Sequence, residues 1–77
     1  MVDAKTIAEW MTQELRSGPL PQWWAAARIE ETFGTDFLSL TEGGRWSIAK
    51  EVRELFTAMN PGVIYRRGEW RMKDAWD

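Results

Sequence analysis

Apolar side chains recur at steps of three and four along three stretches of the chain, the spacing of one helical face. The first stretch follows Asp3, a good N-cap residue, and ends before Gly18. The second ends at Gly34, and the third lies between Ser47, which we expect to be its N-cap, and the breaking sequence Asn60-Pro61-Gly62. The pattern therefore predicts three helices, over residues 4–16, 22–33 and about 48–59.

The clearest β signal is a C-terminal hairpin, with strands over residues 63–66 and 69–72 and a two-residue turn at Arg67-Gly68. In that register Arg66 opposes Glu69 and Tyr65 opposes Trp70. Arginine is a poor first turn residue, because the turn requires a positive φ. Alternation places one set of side chains on a common face: Val63, Tyr65, Trp70 and Met72.

Two shorter stretches are less regular. Pro19-Leu20-Pro21 is too rich in proline for a central strand, but it can lie extended along the edge of a sheet. Residues 37–47 fit either a short hairpin, turning at Glu42-Gly43-Gly44, or an ordered loop.

The same pattern predicts the core. We expect the three helices to pack around Ile7, Trp10, Met11, Leu15, Ile29, Phe33, Val52, Leu55 and Phe56, with Tyr65 and Trp70 closing the core from the hairpin.

The order of these elements resembles a winged helix, a helix-turn-helix core followed by a β-hairpin wing. The resemblance spans about residues 4–73 and implies an α+β fold of three helices and a C-terminal hairpin. One feature departs from the family. Gly34 to Trp46, 13 residues, separate the second and third helices, whereas the turn of a helix-turn-helix has about 3–4.

Several landmarks also resemble a family of small uncharacterised bacterial and phage proteins, members of which occur among mobile-element cargo. The landmarks are Ala8-Glu9-Trp10-Met11, Gly18, Gln22, Ile29-Glu30, Phe33-Gly34, Phe37 and a C-terminal Trp-Arg pair. The resemblance implies no activity, ligand or catalytic residue.

The chain has 77 residues, a formal charge of −2, no cysteine and no histidine. This length predicts a single domain over residues 1–77. The missing residue types exclude disulfides, thiolate nucleophiles and the commonest metal ligands, so we expect no cofactor and no metal. No histidine could activate a serine, and the glutamates lie on solvated helix faces, so we expect no enzyme. No stretch is apolar enough to span a membrane, and we expect a cytoplasmic location.

Six tryptophans in so short a chain suggest a protein partner or self-association. Trp23 and Trp24 are adjacent, so one helix cannot direct both toward the same core face. Counting from Ile29, we expect Trp23 to point inward and Trp24 to project outward, or alternatively to cover residues 19–21. Trp76 is a further candidate contact.

Nucleic-acid binding is the alternative, because basic residues concentrate in the predicted wing of an otherwise acidic chain. The nucleic-acid hypothesis is weakened by the third helix, where Glu51 and Glu54 lie beside the cations, since mixed charge is typical of a solvated face. The candidate contacts are Arg45, Lys50, Arg53, Arg66, Arg67, Arg71 and Lys73. The sequence thus predicts a non-catalytic binding module that recognises a protein or a second copy of itself, with nucleic acid as the rival partner.

Overall fold

The computed structural model describes residues 2–73 and has an α+β architecture. This confirms the predicted three helices and C-terminal hairpin. The elements are α1 (Ala4–Arg16), β1 (Leu20–Pro21), α2 (Gln22–Phe33), β2 (Leu38–Leu40), β3 (Trp46–Ile48), α3 (Lys50–Met59), β4 (Val63–Arg66) and β5 (Glu69–Met72).

Helix α1 begins at Ala4, directly after the predicted N-cap Asp3. The Asp3 carboxylate accepts hydrogen bonds from the Thr6 backbone N–H and hydroxyl, both at 2.8 Å. These bonds stabilise the charged form and lower the pKa of Asp3 from its ordinary value of 3.8. The contribution of this cap to stability is therefore fully present above about pH 3.8 and is lost as the pH falls through the lowered pKa.

Strand β5 is the centre of a three-stranded antiparallel sheet with the order β1-β5-β4. The hairpin register is the predicted one, with Tyr65 opposite Trp70 and Arg66 opposite Glu69. On the other side of β5, Leu20 pairs with Trp70, so the proline-flanked segment forms the expected edge strand. Arg67 and Gly68 both have positive φ, 55° and 81°, as a two-residue hairpin turn requires.

Strands β2 and β3 form a separate hairpin, the first of the two alternatives for residues 37–47. The prediction that Ser47 caps the third helix is wrong. Ser47 lies within β3 opposite Ser39, and α3 begins at Lys50, after Ala49, with no side-chain cap. The reason is the burial of Ile48, which is opposite Leu38 in the ladder and keeps the chain extended beyond Ser47.

Helix α1 packs chiefly against α3, and Phe56 joins this pair to the sheet. Its ring is fully buried and meets the Trp70 ring edge-on, with ring centroids 5.4 Å apart. The predicted core is confirmed for Ile7, Met11, Leu15, Ile29, Val52, Phe56 and Trp70, while Trp10 and Phe33 are half-buried at its margin.

Two predicted core residues are instead exposed. Leu55 is 38% exposed, because the buried face of α3 centres on Val52 and Phe56 and leaves Leu55 at its flank. Tyr65 is 50% exposed. It shares a sheet face with Trp70, but it lies on the outer strand β4, beyond the cover of the helices.

Replacing Phe56 with alanine will lower the free energy of unfolding by about 3–5 kcal/mol, the usual cost of emptying a buried aromatic site. That loss is a large part of the total stability expected for a domain of this size, roughly 4–12 kcal/mol. Leu55→Ala, one position earlier on the same helix, will cost about 1 kcal/mol or less because this side chain is partly solvated already. Urea unfolding followed by circular dichroism measures both. Equal losses would contradict this assignment of the core.

Candidate functional site

An open surface groove lies where α2, the β2–β3 hairpin and the C-terminal hairpin meet. Its volume is about 640 Å³, within the range of roughly 300–1,000 Å³ typical of ligand pockets. We call it the aromatic groove, because three aromatic rings share its lining. The lining residues are Gln22, Trp23, Ala27, Thr41, Gly44, Arg45, Trp46, Ser47, Tyr65 and Gly68.

Two of the aromatic side chains are conspicuously solvated. Trp23 is 71% exposed and Tyr65 is 50% exposed. The Tyr65 ring is nevertheless held in place: its hydroxyl accepts a hydrogen bond of 2.7 Å from Gln22 Nε2, and its ring centroid lies 4.9 Å from that of Trp70. A fixed, exposed ring loses little conformational entropy when a partner covers it.

The expectation that Trp23 points inward is wrong, because its side chain projects outward. Of the two alternatives for Trp24, the position beside residues 19–21 agrees with the structure and the outward projection does not. The Trp24 ring stacks on Trp10, with centroids 6.1 Å apart and planes 16° from parallel. The Arg28 guanidinium lies 5.9 Å from the centroid of the same ring. Trp24 also lies beside residues 19–21, with which it lines a surface cavity of about 280 Å³.

The neighbouring helix explains these orientations. Successive residues of a helix point about 100° apart, and Trp23 is nearer than Trp24 to the face that carries Ile29. Helix α1 nevertheless places Trp10 within reach of Trp24, and Phe33 closes this aromatic cluster edge-on to Trp10 at 6.0 Å. Trp23 instead lines the aromatic groove.

Sequence reasoning missed the groove itself. The sequence pattern places Tyr65 in the core and assigns no contact role to Gln22. A two-stranded hairpin does not show by itself which strand lies outermost, so no local signal indicated the exposure of Tyr65 on β4. The juxtaposition of Trp46 with Trp23 depends on how the β2–β3 hairpin packs on α2, which no local pattern specifies.

The candidate nucleic-acid contacts lie in several different places. Arg45 lines the aromatic groove, and Arg66 and Arg67 lie at the turn of the C-terminal hairpin. Lys50 and Arg53 line another surface cavity, of about 510 Å³, on α3.

Several of these cations also have contacts within the chain. Arg53 Nε donates a hydrogen bond of 3.0 Å to the carbonyl of Ile48. Arg71 is paired with the Glu69 carboxylate. Lys73, an exposed residue at the end of the described chain, donates its backbone N–H to the carbonyl of Gly62 at 2.9 Å. The remaining candidate contact, Trp76, lies outside the described residues.

Residues 2–73 contain no group of three or more acidic, histidine or cysteine side chains placed to hold a metal ion. Over the same range, every helix is too short or too polar to cross a bilayer.

The chain belongs to a family of unknown function, DUF6953, whose model matches residues 3–72. No curated protein and no solved structure matched it significantly. The match covers every helix and strand described above, so the groove lies entirely within the part of the chain that defines the family.

The two adjacent tryptophans will differ sharply in their effect on stability. Trp24→Ala removes a half-buried ring and its stacking on Trp10, and will cost about 2–3 kcal/mol of unfolding free energy. Trp23→Ala removes a solvated ring and will change it by less than about 0.5 kcal/mol. Urea unfolding of both variants, followed by far-ultraviolet circular dichroism, tests the assignment. A Trp23→Ala protein as unstable as Trp24→Ala would overturn it.

Proposed function

We propose that the protein is a small, non-catalytic recognition module that binds a protein partner, or a second copy of itself, through the aromatic groove. The observation that carries this proposal is Trp23, an indole ring 71% exposed at a concave site. Tryptophan and tyrosine are the residues most enriched among binding hot spots. Trp23 leaves apolar area in water that a partner would cover, at roughly 25 cal/mol per Å².

The composition of the groove supports binding rather than catalysis. Its lining includes three hydroxyl groups, on Thr41, Ser47 and Tyr65, but no carboxylate or imidazole that could activate them as nucleophiles. Gln22 and Arg45 add hydrogen-bond donors at the rim. Such a set orients a ligand without providing an acid–base pair.

We also infer a winged-helix-like architecture. Its support is the pairing of β1 with β5 and the position of the C-terminal hairpin directly after α3. Residues 34–49, with their own hairpin, replace the short turn between α2 and α3. This insertion forms one wall of the aromatic groove, which favours the groove over the exposed face of α3 as the recognition site. The cytoplasmic location and the bacterial or phage origin remain predictions from the sequence.

Site-specific photo-cross-linking tests the recognition role. A photoreactive phenylalanine derivative at position 23, in cells that naturally carry the gene, will yield a discrete cross-linked protein, either a partner or a second copy. The matched control places the same group at Leu40, which is 63% exposed but outside the groove lining. Equal cross-linking at the two positions, or none at position 23, would reject the groove as a protein-binding site.

One observation favours nucleic acid as a second candidate partner. Arg67 occupies the left-handed region at φ 55°, at a cost of roughly 1 kcal/mol that asparagine or glycine would largely avoid. An arginine at this strained hairpin turn, beside Arg66, places positive charge at the tip of the wing. Strained residues cluster at functional sites, and phosphate contacts need such cations.

If the wing binds nucleic acid, a gel-shift titration will show a complex with random duplex DNA that weakens as salt is raised. Arg67→Asn suits the turn and removes the charge, and will lower the slope of log affinity against log salt by about 1. Lys5→Asn, which removes an exposed cation from α1, will leave the slope unchanged. No complex at low salt, or equal slopes for wild type and Arg67→Asn, would reject this candidate.

A further inference from the structure

The outer edge of β3 offers main-chain hydrogen-bonding groups to the aromatic groove. Antiparallel ladders alternate hydrogen-bonded and non-hydrogen-bonded pairs. The Thr41 N–H donates to the Arg45 carbonyl at 2.7 Å, and the Ala49 N–H donates to the Phe37 carbonyl at 2.8 Å. Position 46 therefore falls on a non-hydrogen-bonded pair, opposite Leu40. It follows that the N–H and C=O of Trp46 point away from β2.

The groove follows this same edge. Arg45, Trp46 and Ser47 are consecutive and all line it, whereas no residue of β2 does. Successive side chains of a strand point to opposite faces, so three consecutive lining residues place the cavity along the edge of the strand. Trp23 and Tyr65 line the same cavity from α2 and β4. The site thus combines a strand edge with aromatic rings.

Charge limits what can bind there. Among the described residues that line the groove, Arg45 is the charged one. A nucleic-acid backbone requires several cations along its path, and one arginine favours a ligand with one carboxylate at that point. Extended peptides that add to a sheet edge gain affinity from main-chain hydrogen bonds and specificity from alternate side chains.

The sequence after the described residues has this chemistry. Residues 74–77 are Asp-Ala-Trp-Asp, with a tryptophan next to a carboxylate. Paired antiparallel to β3 with Trp76 opposite Trp46, this segment places Asp77 opposite Arg45 and Ala75 opposite Ser47. Directly opposed residues share a sheet face. This one register therefore brings the two indole rings together and also places the carboxylate of Asp77 beside the guanidinium of Arg45.

The segment cannot readily reach the groove of its own chain. The groove contains Gly68, before the start of β5, while residue 73 follows the other end of that strand. Four residues span at most about 14 Å, and that length would have to cover both a reversal of direction after Lys73 and the path back past Tyr65, which pairs with Trp70 midway along the hairpin. A second copy has no such restriction.

We propose that residues 74–77 of a second copy add to the edge of β3 as a further strand, with Trp76 in the aromatic groove and Asp77 paired with Arg45. The proposal rests on the recognition function of the groove argued above and names its occupant. Reciprocal exchange between two copies would form two such contacts in one closed, two-fold symmetric dimer.

Light scattering coupled to size exclusion, over a range of protein concentrations, measures dimerisation. We expect the wild type to form a concentration-dependent dimer. Deletion of residues 74–77 and Trp76→Ala will each weaken dimerisation by roughly thirtyfold, as loss of a binding hot spot does. A monomeric wild type, or a deletion variant that dimerises like the wild type, would overturn the proposal.

A charge exchange tests the register. Arg45→Asp and Asp77→Arg will each weaken the dimer, and the double variant will restore it. Lys5→Asp makes a matching charge change at an exposed position of α1, outside the groove, and will leave dimerisation unchanged. Failure of the double variant to recover would contradict the register.

The dimer measurement and the cross-linking experiment separate the two proposals. A monomeric protein that still cross-links another protein through position 23 would refute the tail contact and leave the recognition function standing. A protein with neither property would refute both.

Discussion

The packing around Trp70 holds this small fold together. Trp70 lies on the central strand of the three-stranded sheet, opposite Leu20 on one side and Tyr65 on the other. Its buried ring meets Phe56 of α3 edge-on. A domain of this size buries only about 60% of its extended surface, so one large ring that contacts both layers determines how the helices sit on the sheet. The turn that precedes this strand lies beside the start of α2, where the Gly68 carbonyl accepts a hydrogen bond of 2.8 Å from the Gln22 N–H.

That last contact also fixes one end of the aromatic groove. It holds the C-terminal hairpin beside the first turn of α2, and the Gln22 side chain then orients Tyr65. The β2–β3 hairpin supplies the other wall, packed on α2. The groove is therefore formed by tertiary contacts among three elements that are distant in sequence. Its shape depends on the same packing that stabilises the fold.

This origin explains what the sequence could and could not predict. Helix periodicity, breakers and the hairpin register are local properties, and they correctly gave α1, α2 and the Tyr65–Trp70 pairing. Ser47 was misassigned because capping preference is also local, whereas the burial of Ile48 against the core is not. The orientations of the two adjacent tryptophans could not be decided from the sequence for a similar reason. A helical wheel gives the angle of each side chain from the core, but it does not show that Trp10 lies beside Trp24.

The short length of β3 limits what can pair with its outer edge. Exposed edges beside apolar rings invite uncontrolled strand pairing, and proteins limit this with short strands and nearby charges. Here the strand has three residues, Arg45 precedes it, and the Ile48 carbonyl is occupied by Arg53. Ile48 is itself buried, so Trp46 is the residue of β3 whose N–H and C=O both face the groove, next to one cation. An edge this limited cannot nucleate an extended sheet, but it suits a brief extended segment that carries an aromatic ring and a carboxylate.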